Sequence, residues 1–343
     1  MNNDGALDLF CVQGGGRGTI AHHNDLLIQN PDHTFSLKTG KWGLLDPYGR
    51  GVNVADLDVN LDGNMDLFLS NDTPREDGMP GTNRLYLNSG NSTTEFSAAP
   101  SMGVDTEVSH SSIGATRGCA QGGDFTGDGW PDLMVCSGYK LGVLLYQNNG
   151  GTSFTDVSAQ MKAPGGNVRH AILADMNGDG VLDLVYIYSN KLVVALQQNG
   201  VFQTSFSTTT GLTDAARIAV GDVNGDGVPD IYLLQGALDT SNPPDSLYVN
   251  NGSGTSFTSL SIPETTLGAG DDVVSIDYDR NGLTDFVVLN GWHSHPGSIQ
   301  LIAFFPAGSA QLRSAQQAAA TWAASHGPGR VPPQPNPPGE DGE

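Results

Sequence analysis

The sequence predicts an all-β propeller of four-stranded antiparallel blades on three observations. A nine-residue acidic motif recurs along the chain, short apolar runs bracket each copy, and a hairpin signal follows at a similar offset. The complete copies are Asp58-Val-Asn60-Leu-Asp62-Gly63-Asn64-Met-Asp66, Asp124-Phe-Thr126-Gly-Asp128-Gly129-Trp130-Pro-Asp132, Asp175-Met-Asn177-Gly-Asp179-Gly180-Val181-Leu-Asp183, Asp222-Val-Asn224-Gly-Asp226-Gly227-Val228-Pro-Asp230 and Asp277-Tyr-Asp279-Arg-Asn281-Gly282-Leu283-Thr-Asp285. A partial copy, Asn2-Asn-Asp4-Gly5-Ala6-Leu-Asp8, lacks its first position.

The run after each motif, such as Leu67-Phe-Leu or Ile231-Tyr-Leu-Leu, is apolar at consecutive positions, which suits a strand covered on both faces. The later landmark reads Leu85-Tyr-Leu-Asn88-Ser-Gly90, Leu144-Leu-Tyr-Gln-Asn148-Asn-Gly150 or Leu247-Tyr-Val-Asn250-Asn-Gly252, each followed by a phenylalanine. An Asn-Gly step between apolar runs marks a hairpin turn. One unit is therefore strand, acidic loop, strand, variable loop, strand, turn, strand. Units of roughly 47 to 66 residues have the size of a propeller blade. Six units, the first incomplete, fill residues 1–308.

The acidic loops define the candidate metal sites. Side-chain oxygens at positions 1, 3 and 5 converge on one point, glycine at position 6 permits the sharp turn, position 7 offers its carbonyl, and the aspartate at position 9 closes the site from the following strand. Hard oxygen ligands with several carboxylates suit Ca2+. About five such sites are expected, with a sixth, incomplete one at Asn2, Asp4, Ala6 and Asp8; the alternative is empty turns. Thr126 offers only a hydroxyl at position 3, so the Asp124 loop is expected to bind least well. Asp279 and Asn281 exchange the usual amide and carboxylate without changing the charge.

Composition agrees. Of 343 residues, 15 are Lys or Arg and 37 are Asp or Glu, a formal charge of −22. The acids recur singly at fixed offsets, which points to cation sites and away from nucleic acid, whose phosphates the summed field would repel. No run of about 18 apolar residues is present to span a membrane. Because Met1 opens inside a motif, the N-terminus reads as truncated, and an export signal is expected to have preceded it. Pairing Asp124 with Asp132 would set residue 120 against residue 136, nearly aligning Cys119 with Cys136. Two buried thiols are the favoured reading and a cross-strand disulfide the alternative.

The motif series and its hairpins resemble the FG-GAP/VCBS repeats of integrin α-subunit propellers. The stretch from Gly49 through Asp58 to Asn71 is similar to the branch containing cartilage acidic protein and its bacterial relatives. The resemblance implies a calcium-stabilised, secreted or cell-surface binding or adhesion module without catalysis, with a protein or glycan as partner. Family members usually close with seven blades, so six imply a fragment of such a propeller or a shorter variant.

Strand parity sets acidic loops and Asn-Gly turns at one end of each blade and the long loops, Gly14–Asn24, Asp72–Asn83, Gly236–Asp245 and Asn290–Gly297, at the other. Long loops on a rigid scaffold are the usual place for recognition. Arg50, Arg117, Arg169 and Arg217 belong to that second end, as a basic ligand face or, as favoured here, as solvated strand-end arginines. His22-His23 and His293/His295 read as loop histidines rather than a transition-metal site. No nucleophile elbow, zinc-protease helix or phosphate loop occurs. A carbohydrate-active enzyme, or its substrate-binding propeller, is the alternative function, and exposed aromatics beside two close carboxylates on the long-loop end would favour it. Residues 309–326 carry Leu312, Ala315, Ala319 and Trp322 at helical spacing and predict a short C-terminal helix; the Pro/Gly-rich residues 327–343 predict a disordered tail.

Overall fold

The computed structural model describes residues 1–12, 24–44, 51–71, 81–91, 94–105, 107–108, 119–137, 142–210, 217–235, 244–262, 270–292 and 295–307. The C-terminal segment expected to be helical, Arg50, Arg117 and most of the long loops lie outside them. Among the described residues helix is confined to single 3-10 turns at Thr39–Lys41 and Pro100–Met102. No helix there is long and apolar enough to cross a membrane.

The rest is an ordered series of antiparallel blade sheets, each an up-and-down meander in chain order, together with one two-stranded pair, Gly81–Thr82 with Glu107–Val108. The second sheet contains Gly51–Leu57, Asp66–Asn71, Arg84–Asn91 and Thr94–Ala98, and the third Ala120–Gly123, Asp132–Ser137, Gly142–Asn148 and Phe154–Asp156. The fourth contains Val168–Ala174, Asp183–Tyr188, Lys191–Gln198 and Val201–Thr209, and the fifth Arg217–Gly221, Asp230–Leu234, Asp245–Asn250 and Phe257–Ile262. The first has three described strands, Leu9–Cys11, Asp25–Gln29 and Phe35–Leu37, and so does the sixth, Gly270–Ile276, Asp285–Trp292 and His295–Ile302. In the first sheet the acidic motif precedes the first strand, so its strands correspond to the second, third and fourth of a full blade. The fold class is the predicted one: all-β, six blade sheets of a β-propeller.

Two compact units divide the chain, and the division runs through the fourth sheet. The first comprises Met1–Leu173, Val181–Ser189 and Ala195–Thr204; the second comprises Ala174–Gly180, Asn190–Val194 and Ser205–Glu343. Within the first unit, alternate residues of one strand serve two junctions. Leu67 and Leu69 pack with Leu26 and Ile28 of the first sheet, whereas Phe68 between them packs with Leu133 and Val135 of the third. Met134 and Cys136 in turn pack with Leu173, Leu184 and Ala195 of the fourth. This period-two division is why the strands are apolar at every position: both faces of an internal sheet are interior. Within the second unit Tyr232, Leu234 and Leu247 of the fifth sheet pack with Val273, Phe286 and Val288 of the sixth, the Tyr232 and Phe286 rings 4.8 Å apart. Burying side chains of this size contributes roughly 1.5–3 kcal/mol each.

The expected cysteine pairing is corrected. The register sets Gly123 against Asp132 and Ala120 against Val135, one place from the pairing of Asp124 with Asp132, so Cys119 stands directly opposite Cys136. The two are joined by a disulfide with Cα atoms 4.8 Å apart rather than being buried thiols. Cys11 is free and exposed.

Candidate metal centre

Each acidic loop is shaped by its own backbone N–H groups. The Asp58 carboxylate accepts from the amides of Asp62 at 3.1 Å and Gly63 at 2.9 Å. Asp124 accepts from Gly127, Asp128 and Gly129, Asp222 from Gly225, Asp226 and Gly227, and Asp277 from Asn281 and Gly282. The tight turn that aims these amides inward needs a left-handed residue at position 6: φ there lies between 83° and 89° from Gly63 to Gly282, where only glycine is unstrained.

Positions 3 and 5 interlock. The Asn60 side chain donates to Asp62 at 3.0 Å while its oxygen accepts the Asp62 amide at 3.1 Å, and Asn224 with Asp226 repeats both contacts. At Asp124 the pattern changes. The Thr126 hydroxyl donates to Asp132 at 2.9 Å and its amide does so at 3.0 Å, so the hydroxyl oxygen is engaged within the loop. The Asp128 carboxylate accepts from the Gln147 side chain instead, which lowers its pKa.

The position-9 aspartates are the most buried groups of the loops. Asp66 accepts the Val59 amide on one oxygen at 2.9 Å and the Asn88 amide on the other at 2.7 Å. Asp230 does the same with Val223 and Asn250, and Asp285 with Tyr278 and Phe304. In the partial loop Asp8 accepts from the Gln29 amide and pairs with the Met1 ammonium at 2.9 Å. These carboxylates therefore tie the acidic loop to the third strand, a role the motif spacing did not reveal. Burial pushes Asp66 up to about 6, against the lowering effect of its two amides, and the Asp62 and Asp58 charges add to the rise. Asp132, Asp230 and Asp285 are raised for the same first cause.

The Asp175 loop is divided between the two units. Asp175 accepts from Gly178, Asp179 and Gly180, and Asn177 donates to Asp179 at 3.0 Å, in the second unit. Asp183, in the first, accepts the Gln197 amide at 2.7 Å.

The Asp277 loop is the most open to a cation. One carboxylate oxygen each of Asp277, Asp279 and Asp285 lies within 4.8 Å of the others, and Asp279 Oδ2 is buried with no hydrogen-bond partner. Exchanging Asp and Asn causes this, because Asn281 turns its amide to the Phe304 carbonyl at 2.8 Å and leaves Asp279 without the donor that faces Asp62 and Asp226 in their loops. An orphaned buried carboxylate oxygen among three acids is costly unless a cation meets it, so these residues fit an oxygen-coordinated divalent ion.

Sequence reasoning took the hairpin asparagines as turn residues only. Asn148 donates to the Pro131 carbonyl of its own sheet at 3.0 Å and to the Val59 carbonyl of the preceding acidic loop at 2.8 Å, while its oxygen accepts the Gly151 amide. Asn88 reaches the Met1 carbonyl, Asn250 the Met176 carbonyl, and Gln197 the Phe125 carbonyl, always the second position of the preceding motif. Their recurrence at one place in the unit was the signal available. Of the arginines, Arg169 lies in the first strand of the fourth sheet, and Arg217, at the start of the fifth, has its Nε 4.0 Å from the Asp272 carboxylate of the sixth.

The repeated unit is a meander of four strands, with an acidic loop between the first two and an asparagine or glutamine staple on the third. A model of the FG-GAP-like repeat matches residues 1–69, 124–186 and 175–233, more than half of the chain. The chain belongs to this family. It is 28% identical over 155 residues to bovine phosphatidylinositol-glycan-specific phospholipase D, covering 41% of this chain and 18% of that protein, so it spans less than a fifth of that relative. An Agrocybe aegerita lectin, described for specific recognition of non-reducing terminal N-acetylglucosamine, matches in structure with a TM-score of 0.52 and 17% identity, over 85% of this chain and 76% of its own.

Proposed function

We propose that the protein is a noncatalytic, extracellular binding module whose acidic loops hold calcium and whose long-loop end recognises a protein or glycan. The orphaned Asp279 oxygen beside Asp277 and Asp285 carries the calcium reading. Asp58, Asp124, Asp175 and Asp222 open loops with the same spacing of oxygen donors but different internal hydrogen bonds, in which calcium would draw on the oxygens of positions 1, 3, 5 and 9 and the carbonyl of position 7. A disulfide between neighbouring strands supports an oxidising, extracellular location. Glycan recognition is supported by the shared fold with the lectin and by nothing finer.

Calcium here is structural. At about 2 mM calcium and a dissociation constant of about 0.2 mM, each loop adds roughly 1.4 kcal/mol of stability. Five loops together add about 7 kcal/mol, comparable with the whole stability of a typical domain, about 5–15 kcal/mol. Thermal melting in calcium and in chelator tests this: a midpoint that drops on chelation supports it, and an unchanged midpoint overturns it. A glycan array probed in calcium then tests the recognition.

A further inference from the structure

The structure assigns Asn251 as the acceptor for an N-linked oligosaccharide, a modification whose occurrence in the organism rests on the extracellular reading above. The tripeptide Asn251-Gly252-Ser253 places a hydroxyl two residues after an asparagine with no proline between, the pattern an oligosaccharyl transferase requires. It forms the tip of the hairpin between Asp245–Asn250 and Phe257–Ile262 of the fifth sheet, and all three residues are exposed. Two neighbouring asparagines play opposite parts in this turn. Asn250 is buried: its side-chain amide donates to the Met176 and Pro229 carbonyls at 2.8 and 3.1 Å, and its oxygen accepts the Gly252 and Gly254 amides, each at 3.1 Å. The Gly254 carbonyl in turn accepts the Ser205 hydroxyl at 2.7 Å. All these residues belong to the second unit. The turn is thus pinned at both ends, and Asn251 projects from it, its carboxamide reaching the Ser256 hydroxyl of the same hairpin at 3.2 Å.

Its surroundings separate this asparagine from the others. A side chain built at Gly252 would meet nothing within 4 Å, whereas one at Gly151 would strike Asn60 and the Trp130 ring, and one at Gly90 the Asn64 side chain. At the equivalent turns of the first, third and fourth sheets, Asn30-Pro31-Asp32, Asn149-Gly150-Gly151 and Asn199-Gly200-Val201 lack a hydroxyl in the third place. Asn71-Asp72-Thr73 carries the pattern, but Asn71 is 2% exposed inside the second strand of its sheet, where a sugar has no room. Asn91-Ser92-Thr93 carries it too, with Ser92 and Thr93 outside the described residues. Among the described residues, pattern and open surface coincide at Asn251. In the transfer, Nδ2 of Asn251 attacks C1 of an oligosaccharide carried on a polyprenyl diphosphate. The nitrogen–C1 bond forms as the bond from C1 to the diphosphate oxygen breaks; the polyprenyl diphosphate leaves with the electron pair, and one Nδ2 proton passes to a base of the transferase. Because Asn250 is bonded to Met176 of the Asp175 loop and Pro229 of the Asp222 loop, the sugar stands at the acidic-loop end of the fifth sheet. The long-loop end of that sheet stays bare for a partner.

The test is glycopeptide mass spectrometry on the full chain, secreted from cultured eukaryotic cells behind an added export leader. A peptide with an oligosaccharide on Asn251 is expected. Peptide-N-glycosidase in heavy-oxygen water should release that sugar from the undenatured protein and leave a labelled aspartate, because the tip is exposed. Asn251→Gln and Ser253→Ala each lose this glycan, whereas Ser253→Thr keeps it. Secreted wild-type chain with Asn251 unmodified overturns the proposal. A glycan on Asn71 in its place, or one on Asn251 that is released only after denaturation, overturns it equally, because either contradicts the accessibility on which it stands. Fractionation of the source organism tests the other reading separately: an intracellular chain there sinks the extracellular assignment, while a glycan on Asn251 of the leader-driven chain still upholds the acceptor.

Discussion

The side-chain amide of Asn148 donates to the backbone carbonyl of Val59 at 2.8 Å, joining the hairpin of one sheet to the acidic loop of the sheet before it. The same side chain also holds Pro131 and Gly151, so one residue completes the loop, the turn and the junction.

Replacing Asn148 with alanine leaves the Val59 and Pro131 carbonyls without their donor in a buried place. The expected loss is about 2–4 kcal/mol in urea unfolding. Asn148→Gln loses less, because Gln197 makes the equivalent bond to Phe125 with the longer side chain. Equal losses for the two variants would contradict the staple.

Asp279→Asn removes the orphaned carboxylate oxygen while keeping the shape of the side chain. One fewer calcium per chain is expected by isothermal titration, with the remaining sites unchanged. An undiminished count would show that the Asp277 loop does not bind as its geometry implies.

Acidity acts through the buried position-9 carboxylates. Asp66 sits at about 6 in the folded chain, above its ordinary 3.8, so the folded state holds this proton more tightly than the unfolded state does. The stability that the proton confers is fully present below 3.8 and is lost as pH rises through about 6, on the order of 3 kcal/mol for this group. Calcium bound as proposed would require the ionised form and would offset that loss. Chelated protein is therefore expected to weaken from pH 4 to pH 6.5, while calcium affinity rises over the same window. Chelated protein that strengthens with pH over this range would reverse the sign and refute the account.

Loss of the Cys119–Cys136 bond by a double Cys→Ala change is expected to cost roughly 3 kcal/mol, the usual scale for a loop of this length. Mass spectrometry shows the bond itself: the untreated chain gains the mass of two hydrogens on reduction. No change in mass would place the two cysteines as thiols.

What the sequence made legible was local. Asp58 to Asp66 lie on adjoining turns, so their spacing alone specifies a loop, and the consecutive apolar run from Leu67 specifies a strand covered on both faces. The partner of Asn148 was hidden because Val59 is 89 positions away and a backbone carbonyl leaves no mark in a sequence. The cysteine register failed by one place, because the pairing begins at Gly123 and Asp124 already belongs to the loop. Asp285 was recognised as a closing ligand but not as the acceptor for Phe304, which stands where other units place their hairpin asparagine. The exchange of Asp279 and Asn281 looked neutral as a count of charges. In the folded loop it decides which oxygen is left bare.

The staples run in one direction. Asn88, Asn148, Gln197 and Asn250 each reach back to a carbonyl in an earlier motif, and none of them reaches forward. A chain emerging from the ribosome therefore finds each docking point already made when the next asparagine appears. Assembly can proceed like a ratchet in the order of translation, each new hairpin locking onto the one synthesised before it.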